Sequence, residues 1–307
     1  MPSRLILRRQ PPHKSNKYFT YEVTVTAGQA TTPKFTFTTN VYNKLVDWGD
    51  GTIRSVAASA VELSHTYAAA GKYRVTFLMP HQDTLLTQID INADKLSKVL
   101  TPIQAFRNLT LFHAYTNSAW VQNISGWVLP ASLMDFSVHT TSVSGDISGW
   151  VLPASLVNFS VYSTSVSGDI SGWVLPASLA NFSVYVTSVS GDISGWVLPA
   201  SLANFSIYST SVIGSPIFTS AVALSYFQYQ NCALLQATVD LIVSRIYASR
   251  ASFTAAAPSA NVGGTNAAPS GVYQDEDPPV TGKGYIYELV NDPEVEGFKK
   301  WAITYPA

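Results

Sequence analysis

The sequence predicts a mainly β protein in which a small antiparallel β-sandwich is followed by a capped solenoid of short parallel strands. Nearly identical copies of GDISGWVLPASLxNFSVYxTSVS place tryptophan every 23 residues, at Trp127, Trp150, Trp173 and Trp196. A fixed period of this length is typical of a solenoid. Short alternating runs of apolar and polar residues before the copies indicate paired strands. An amphipathic segment after them indicates a helix that closes the open end of the stack.

The bulk composition describes a folded and sparingly charged chain. Its 307 residues are 47% hydrophobic and 12% charged, with a formal net charge of −1. This balance does not favour nucleic acid or an acidic membrane surface as a partner. No stretch reaches the roughly 18 apolar residues that would span a bilayer. Cys232 is the only cysteine, and its place in the repeat predicts a small buried core residue instead of a nucleophile.

Residues 1 to 17 form a basic N-terminal arm that contains no acidic residue. It has no apolar core of the kind that a secretory signal requires. Two interpretations stay open: a flexible tail, and an arm that docks on the capsid or tail proteins of a larger particle. The docking residues in the second interpretation are Arg4, Arg8, Arg9, Lys14 and Lys17.

Residues 18 to 79 are predicted to form the sandwich. Short alternating runs such as YFTYEVTV and KFTFTT are separated by turn residues. Trp48 is expected between the two sheets, with Asp50 and the following glycine in the turn that ends its strand. Asp47 and Asp50 are candidate calcium ligands, although turn amides alone can satisfy them. His65 is expected to pack in the core, since no second histidine or cysteine lies at metal-ligand spacing.

The combination of VDWGDGT at 46–52, HTY at 65–67 and GKYRVT at 71–76 resembles the PKD-type immunoglobulin-like domain. The resemblance covers most of the predicted sandwich. It implies a spacer or presentation module.

Residues 80 to 234 are predicted to form the solenoid, in about seven units. Each unit contains L-x-x-F-x-V-x-x-T-x-V, as in the segment from Leu156 to Val166. This resembles the leucine-rich repeat pattern L-x-x-L-x-L-x-x-N-x-L. The resemblance implies a short parallel strand with its apolar residues inside, and a threonine column in place of the family's buried asparagines. The threonine hydroxyls can still bond to the turn backbone. The column comprises Thr141, Thr164, Thr187 and Thr210.

Less perfect copies extend the same phase on both sides. Upstream, Leu86, Ile89 and Ile91 fit the pattern, and so do Phe106, Leu109 and Leu111. Downstream, the fitting residues are Leu224, Phe227, Tyr229, Cys232 and Leu234.

Alternation along each strand predicts a ligand-binding concave face, because Phe159 and Val161 inside leave Ser160 and Tyr162 outside. Neighbouring rings are expected to pack at the rung spacing of ~4.8 Å. Hydroxyls and rings with almost no charge suit sugars, whose ring faces stack on aromatics, or a protein anchored by tyrosines. Alternatively, the columns are only good strand formers in copied repeats. The predicted binding residues are Ser137, His139, Ser160, Tyr162, Ser183, Tyr185, Ser206 and Tyr208, with Thr110, Phe112, Gln228 and Gln230 at the column ends.

Two further columns have structural and functional interpretations. Asp146, Asp169 and Asp192, continued by Asn123, are expected to cap turn amides, with a bound calcium ion as the alternative. The tryptophans are expected to stack on or beneath the convex surface, with an exposed second binding face as the alternative.

Residues 235 to 307 are the predicted cap. A helix containing Val239, Ile242 and Ile246 is expected to cover the last coil. The end is expected to form a strand at 285–290, a short helix at about 292–300 and a final strand at 301–305. VGGTNAAPS with the terminal W-x-I-T-Y is similar to the ends of bacterial and phage leucine-rich repeat surface proteins.

The sequence offers no constellation typical of an enzyme. It lacks a facing carboxylate pair, a G-x-S-x-G elbow, a Walker loop and a Cys/His cluster. We therefore expect a non-catalytic protein without cofactor or metal, on the surface of a bacteriophage virion as a head decoration, fibre or tail component. Its expected ligand is a host-surface glycan or protein. The alternative is a bacterial cell-surface adhesin or extracellular scaffold.

Overall fold

The fold is taken from a computed structural model that describes residues 18–37, 44–56, 60–78, 86–91, 95–219, 221–255, 257–275, 277–291 and 300–306. The proposed docking residues Arg4, Arg8, Arg9, Lys14 and Lys17 lie outside the described residues, as does nearly all of the helix predicted at 292–300. Within the described ranges, no helix is both long enough and apolar enough to cross a membrane.

Antiparallel strands build the N-terminal part. They are β1 (Thr20–Val25), β2 (Ala30–Thr31), β3 (Lys34–Phe37), β4 (Lys44–Asp47), β5 (Ile53–Val56), β6 (Ala60–Glu62), β7 (His65–Thr66), β8 (Gly71–Leu78), β9 (Leu86–Asp90) and β10 (Leu96–Val99). Five of them form a sheet in the order β10-β1-β8-β4-β5, and β2 pairs with β7. Alternation in β1 buries Tyr21, Val23 and Val25, as its period-2 pattern predicts.

Parallel strands build the rest of the chain. They are β11 (Leu111–His113), β12 (Asp135–Ser137), β13 (Ser144–Asp146), β14 (Asn158–Ser160), β15 (Ser165–Asp169), β16 (Asn181–Ser183), β17 (Ser188–Asp192), β18 (Asn204–Ser206), β19 (Ser211–Ile213), β20 (Tyr226–Gln228), β21 (Ser259–Asn261) and β22 (Ala302–Thr304). They wind a β-solenoid of about six turns. The predicted fold class, mainly β with an antiparallel N-terminal part and a parallel-strand solenoid, is confirmed.

The middle turns of the solenoid contribute strands to two sheets. The long sheet has the order β22-β21-β20-β18-β16-β14-β12-β11-β9-β3-β6, and a short sheet has the order β13-β15-β17-β19. Strand β9 joins the two parts of the chain, because it pairs antiparallel with β3 and parallel with β11. The antiparallel part and the solenoid therefore share one continuous sheet.

The copies stack in register, residue on identical residue. Asn158 lies beside Asn181, and Phe159 lies beside Phe182; the next pair of strands repeats this register. Every position of the long-sheet strands thus becomes a column that runs along the solenoid, as predicted. In the short sheet the pairing is offset by two residues, so that Gly145 lies opposite Val166.

Aromatic side chains fill the core of the copies. Phe136, Phe159, Phe182 and Phe205 stack with ring centroids 5.6–5.9 Å apart. The tryptophans meet this column edge-on, as in Phe159 with Trp173 at 5.7 Å, and Trp196 Nε1 donates to the Ser171 carbonyl at 3.1 Å. The four repeat tryptophans are only 4–8% exposed. Structural stacking is confirmed for them, and the alternative of an exposed tryptophan face is wrong.

In the coil before the copies, the residues that point inward are not the predicted ones. Strand β11 places Phe112 against Phe136, so Phe112 is a core residue and the predicted outward positions of Thr110 and Phe112 are wrong. His113 and Tyr115 take the outward places instead. The segment contains two overlapping apolar alternations, one through Leu109 and Leu111 and one through Phe112 and Ala114, and only packing on the next coil selects between them. Downstream, Phe227 pairs with Phe205 and Gln228 with Ser206, as predicted.

The threonine column caps its own turn. Thr141, Thr164, Thr187 and Thr210 each donate the hydroxyl to the carbonyl three residues earlier, at 2.6–2.7 Å. This confirms the predicted hydroxyl-to-backbone bond. Cys232, in the same place of the next coil, is buried as predicted.

Val186 is held in a left-handed conformation that a β-branched residue disfavours. Its φ is 53°, because its N–H must donate to the Tyr208 carbonyl of the next coil, at 3.0 Å. The side chain is 46% exposed, so its replacement loses little packing. Ser163 and Ser209 stand at the same place in neighbouring copies. We expect Val186→Ser to raise the free energy of unfolding by about 1 kcal/mol, measured by urea denaturation.

Val174 provides the control for that substitution. It is 83% exposed and is not among the residues with positive φ. Val174→Ser should leave the free energy of unfolding within about 0.5 kcal/mol of its starting value. Equal effects of the two substitutions would show that backbone strain is not the cause.

The cap begins with the predicted helix and differs from the prediction after it. Helix α1 (Gln236–Ala248) buries Val239, Ile242, Val243 and Ile246. The strand predicted at 285–290 is wrong, because helix α2 (Gly282–Asn291) occupies this segment and buries Ile286 and Leu289. The sequence YIYEL fits both a strand and a helix period, and contact with α1 decides for the helix. The final strand is confirmed as β22. Single 3₁₀ turns lie at Ile103–Ala105 and Arg250–Ser252.

Candidate binding face

The outward residues of strands β11 to β20 form one polar surface, which we call the ladder face. It has three parallel columns. The amide column is Asp135, Asn158, Asn181 and Asn204; the serine column is Ser137, Ser160, Ser183 and Ser206; and the aromatic column is Tyr115, His139, Tyr162, Tyr185 and Tyr208. All eight predicted binding residues of the copies therefore lie together along this side of the solenoid, with Ser137 and Ser206 buried beneath its surface.

The aromatic column is a continuous stack of five rings. Successive centroids lie 4.2–4.4 Å apart, with interplanar angles of 9–13°. The predicted row of outward tyrosines is present, and Tyr115, which was not predicted, is its fifth member. The stack changes which groups are accessible to a ligand, because the flat sides of the rings lie against one another. A sugar therefore meets ring edges and hydroxyls there, and the predicted stacking of sugars on these ring faces is not available within the column.

Burial and neighbouring phenols keep the tyrosine hydroxyls protonated. Burial first, and then the phenols of Tyr162 and Tyr208, raise the pKa of Tyr185 well above its usual value. Burial is also the largest cause of the raised pKa of Tyr208 and of Tyr115. The phenols are thus neutral groups that can both donate and accept hydrogen bonds.

The amide column is a hydrogen-bonded ladder with one direction. Asn204 Nδ2 donates to Asn181 Oδ1 at 2.5 Å, Asn181 Nδ2 donates to Asn158 Oδ1 at 2.6 Å, and Asn158 Nδ2 donates to Asp135 Oδ2 at 2.9 Å. A carboxylate only accepts, so Asp135 fixes the direction of the chain. This column was not predicted, although the residue before the strand phenylalanine is asparagine in three copies and aspartate in the first.

The charge on the ladder face is gathered at its β11 end. His113 Nε2 lies 2.9 Å from Asp135 Oδ1. Burial raises the pKa of Asp135, but hydrogen bonds from His113 and Asn158 outweigh it and hold that pKa below its usual value. Burial and the charge of His113 lower the pKa of His139 to about 4, so its imidazole is neutral at pH 7.

His139 predicts a pH dependence of stability. The folded chain protonates this ring only near pH 4, whereas its ordinary value is 6.5, so its contribution to stability is complete above pH 6.5 and is lost as the pH falls towards 4. Solvent screening of this partly exposed ring limits the loss to about 1 kcal/mol. His139→Tyr, which copies the other repeats, should remove that loss when unfolding is followed at several pH values.

A reciprocal substitution is the control for the histidine. Tyr162→His should introduce a similar loss of stability over the same pH range. If the pH profiles of the wild-type protein and His139→Tyr run parallel, the histidine is not responsible.

A groove runs along the serine column. The short serines form its floor, between longer side chains of the amide and aromatic columns on either side. Its best-formed part has a volume of about 350 Å³ and is lined by Tyr162, Asn181, Ser183, Tyr185, Asn204, Ser206, Tyr208 and Tyr226. These residues belong to consecutive strands, so the groove follows the solenoid axis.

The aspartate column caps turns and does not gather a metal. The Oδ1 atoms of Asp146, Asp169 and Asp192 accept the N–H two residues later at 2.8–2.9 Å. These hydrogen bonds from Ser148, Ser171 and Ser194 lower the pKa of each carboxyl. The predicted turn capping is confirmed. In the part of the chain that the structure describes, no group of three or more His, Cys, Asp or Glu side chains is arranged to hold a metal ion.

The acidic residues of the N-terminal part also cap turns. Asp47 Oδ1 accepts the Gly49 N–H at 2.9 Å, and Asp50 Oδ1 accepts the Thr52 N–H at 2.9 Å. His65 stacks on Trp48 with centroids 4.8 Å apart and bonds to Asp50 Oδ2 at 2.7 Å. Trp48 is fully buried, as predicted, and His65 packs against it.

A second surface feature, also missed in the sequence, is an apolar stripe at the W-V-L-P turns. Val128, Val151, Val174 and Val197 are 51–83% exposed. Recesses between successive turns, lined in part by Val174 and Val197, have volumes of about 280 and 470 Å³. The stripe and the ladder face are built from different positions of the repeat.

Comparison of the chain with protein-family models and with curated proteins finds no match. The class of molecule is therefore defined by its architecture: a β-solenoid, joined to an antiparallel sheet, that carries an ordered hydrogen-bonding face.

Proposed function

We propose that this chain is a non-catalytic binding protein whose ladder face attaches to a glycan on a host-cell surface. The observation that carries the proposal is the alignment of amide, hydroxyl and phenol groups in three columns over strands β14, β16 and β18, where all of these groups are neutral. Such groups both donate and accept hydrogen bonds, as sugar hydroxyls do. Between Ala119 and Phe218 the chain contains no lysine, arginine or glutamate, which favours an uncharged ligand.

The proposed setting is the surface of a bacteriophage virion, as a head decoration, fibre or tail component. Support comes from the resemblance of residues 18–79 to PKD-type domains and of the array to leucine-rich repeats, since both are display modules. The basic residues Arg4, Arg8, Arg9, Lys14 and Lys17 are proposed to dock on capsid or tail proteins. Particles assembled with protein that lacks residues 1–17 should lose this chain on purification; normal retention would contradict the docking role.

The same architecture also serves the alternative of a bacterial cell-surface adhesin. The genes beside the coding gene distinguish the two settings, because capsid or tail genes fit a virion and secretion genes fit a bacterial surface. Release of reducing ends from a bound polysaccharide would contradict the non-catalytic assignment in either setting.

A glycan array tests the binding face directly. We expect the wild-type protein to bind, and we expect simultaneous replacement of Tyr162, Tyr185 and Tyr208 by alanine to reduce binding at least tenfold, since three rungs lose their phenols. Simultaneous replacement of Val151, Val174 and Val197 by alanine is the matched control on the apolar stripe and should leave binding unchanged. A blank array for the wild type, or equal binding by the tyrosine variant, would refute the proposed function.

A further inference from the structure

The groove on the ladder face has a uniform floor and two distinct walls. The floor consists of serines at one repeat position. Ser160, Ser183 and Ser206 each lie between an asparagine on one side and a tyrosine on the other, whereas Ser137 lies between Asp135 and His139. Because the copies stack in register, the same three groups recur at three successive rungs, ~4.8 Å apart. A ligand that lies along the groove therefore contacts the same set of amide, hydroxyl and aromatic groups at successive rungs.

The serine floor is bounded at both ends by longer side chains. His113 precedes Ser137 in the same column, where it bonds to Asp135. Gln228 follows Ser206 in the same column and is buried. Four rungs of serine remain between them, which is a length of about 20 Å at the rung spacing.

We propose that the groove binds an uncharged, unbranched glycan segment that lies along the solenoid axis and contacts successive rungs. This inference rests on the proposed function and specifies the class and orientation of its ligand. Along the rungs of Ser160, Ser183 and Ser206 the groove walls are neutral asparagine and tyrosine side chains, and the Asp135 carboxylate stands only at the Ser137 rung, so a charged polymer finds no counter-charge along these three rungs. The stacked ring faces leave edges, hydroxyls and amides as the binding groups, which suits a chain of hydroxyl-bearing units.

The direction of the groove argues for the axial orientation. A chain that crossed the strands would have to pass over the tyrosines on one side and the asparagines on the other. A chain along the axis stays on the serine floor and gains the same contacts at each rung. Its affinity should therefore rise with chain length until the ligand fills the serine-floored rungs.

Near-identical copies permit a direct test by changing the number of rungs. Deleting residues 158–180 joins Val157 to Asn181, which restores the native Val-Asn junction and removes one rung. A second variant duplicates the same segment and adds one rung. Because a solenoid's stability is close to a sum over its repeats, both variants should fold, and urea unfolding with circular dichroism checks that they do.

The probes are linear malto-, cello- and manno-oligosaccharides of two to eight units, titrated calorimetrically against the full-length protein. We expect affinity for at least one series to rise with length, and the longest oligomer that still gains affinity to be shorter for the deletion and longer for the duplication. Each rung should change the affinity for the longest oligomer about three- to tenfold. Ser183→Gln, which places glutamine in the floor as at Gln228, should reduce binding of long oligomers at least tenfold. Val174→Gln is the control outside the groove, because Val174 is 83% exposed on the apolar stripe, and it should leave binding unchanged.

Several outcomes would overturn the axial groove while leaving the proposed function intact. They are array binding restricted to charged or branched glycans, an affinity independent of chain length, and an affinity unchanged by the number of rungs. A blank array, or binding that survives the triple tyrosine replacement, would instead remove the proposed function itself. The two failures are thereby distinguished.

Discussion

Replacing Asn266 with alanine is expected to lower the free energy of unfolding by about 4 kcal/mol. This buried side chain makes four hydrogen bonds to the backbone. Its Oδ1 accepts the N–H groups of Cys232 and Leu234 at 3.0 and 3.1 Å, and its Nδ2 donates to the carbonyls of Tyr229 and Val262 at 2.8 and 2.9 Å. Asn266 is 4% exposed, so its removal leaves several buried polar groups without partners.

Urea unfolding measures this loss, and limited proteolysis locates it at the junction of the array with the cap. Asn261→Ala is the control, because Asn261 Oδ1 accepts one N–H, that of Gly263, in a partly buried place. It should cost about 1 kcal/mol. An Asn266→Ala protein as stable as Asn261→Ala would mean that water replaces the missing amide.

Gly168→Ala is expected to destabilise the solenoid by about 3 kcal/mol. The φ of Gly168 is +120°, and a Cβ there would lie 2.2 Å from Asp146 Oδ1 and 2.9 Å from the Ser148 backbone nitrogen. Asp146 cannot simply rotate away, because its Oδ1 caps the Ser148 N–H. The substitution therefore imposes an unfavourable backbone conformation and disrupts the turn of the preceding coil.

Gly172→Ala is the control within the same copy. A Cβ at Gly172 would meet no atom within 4 Å, so its effect on the free energy of unfolding should stay within about 0.5 kcal/mol. Asp146→Ala combined with Gly168→Ala should cost less than the two single changes together, because the clash requires both side chains. Strict additivity of the two changes would show that the clash is relieved by other means.

The solenoid could be predicted from the sequence because the same pattern of apolar and polar residues occurs in successive copies. A period of 23 residues carries the same strand, turn and core positions four times, so the inward Phe159 and the outward Tyr162 follow from alternation alone. The predictions that failed lie outside the near-identical copies. The coil at 106–115 has two apolar alternations, and the segment at 285–290 has a pattern that fits both a strand and a helix.

The ladder face was predicted in part. Its serines and tyrosines were placed correctly, since a period-2 argument fixes which side of the strand they take. The amide column and Tyr115 were not predicted. Within one coil, an asparagine at the start of a strand is typical of a turn, and only the asparagine of the next coil supplies its hydrogen-bond partner. The apolar stripe was not predicted, because the W-V-L-P turns have no regular alternation of apolar and polar residues from which the exposure of a side chain can be derived.

The sequence by itself determined that identical residues would be brought into columns, because a fixed period in the chain becomes a fixed translation in space. Only the tertiary structure decided what the columns do. Stacking of one ring on the next covers the ring faces inside the column, and the carboxylate of Asp135 gives the amide ladder its direction. The difference in height between serine and its neighbours opens a groove along the axis. These properties arise between coils, where the contacting atoms are about 23 residues apart, and no local pattern within one coil contains them.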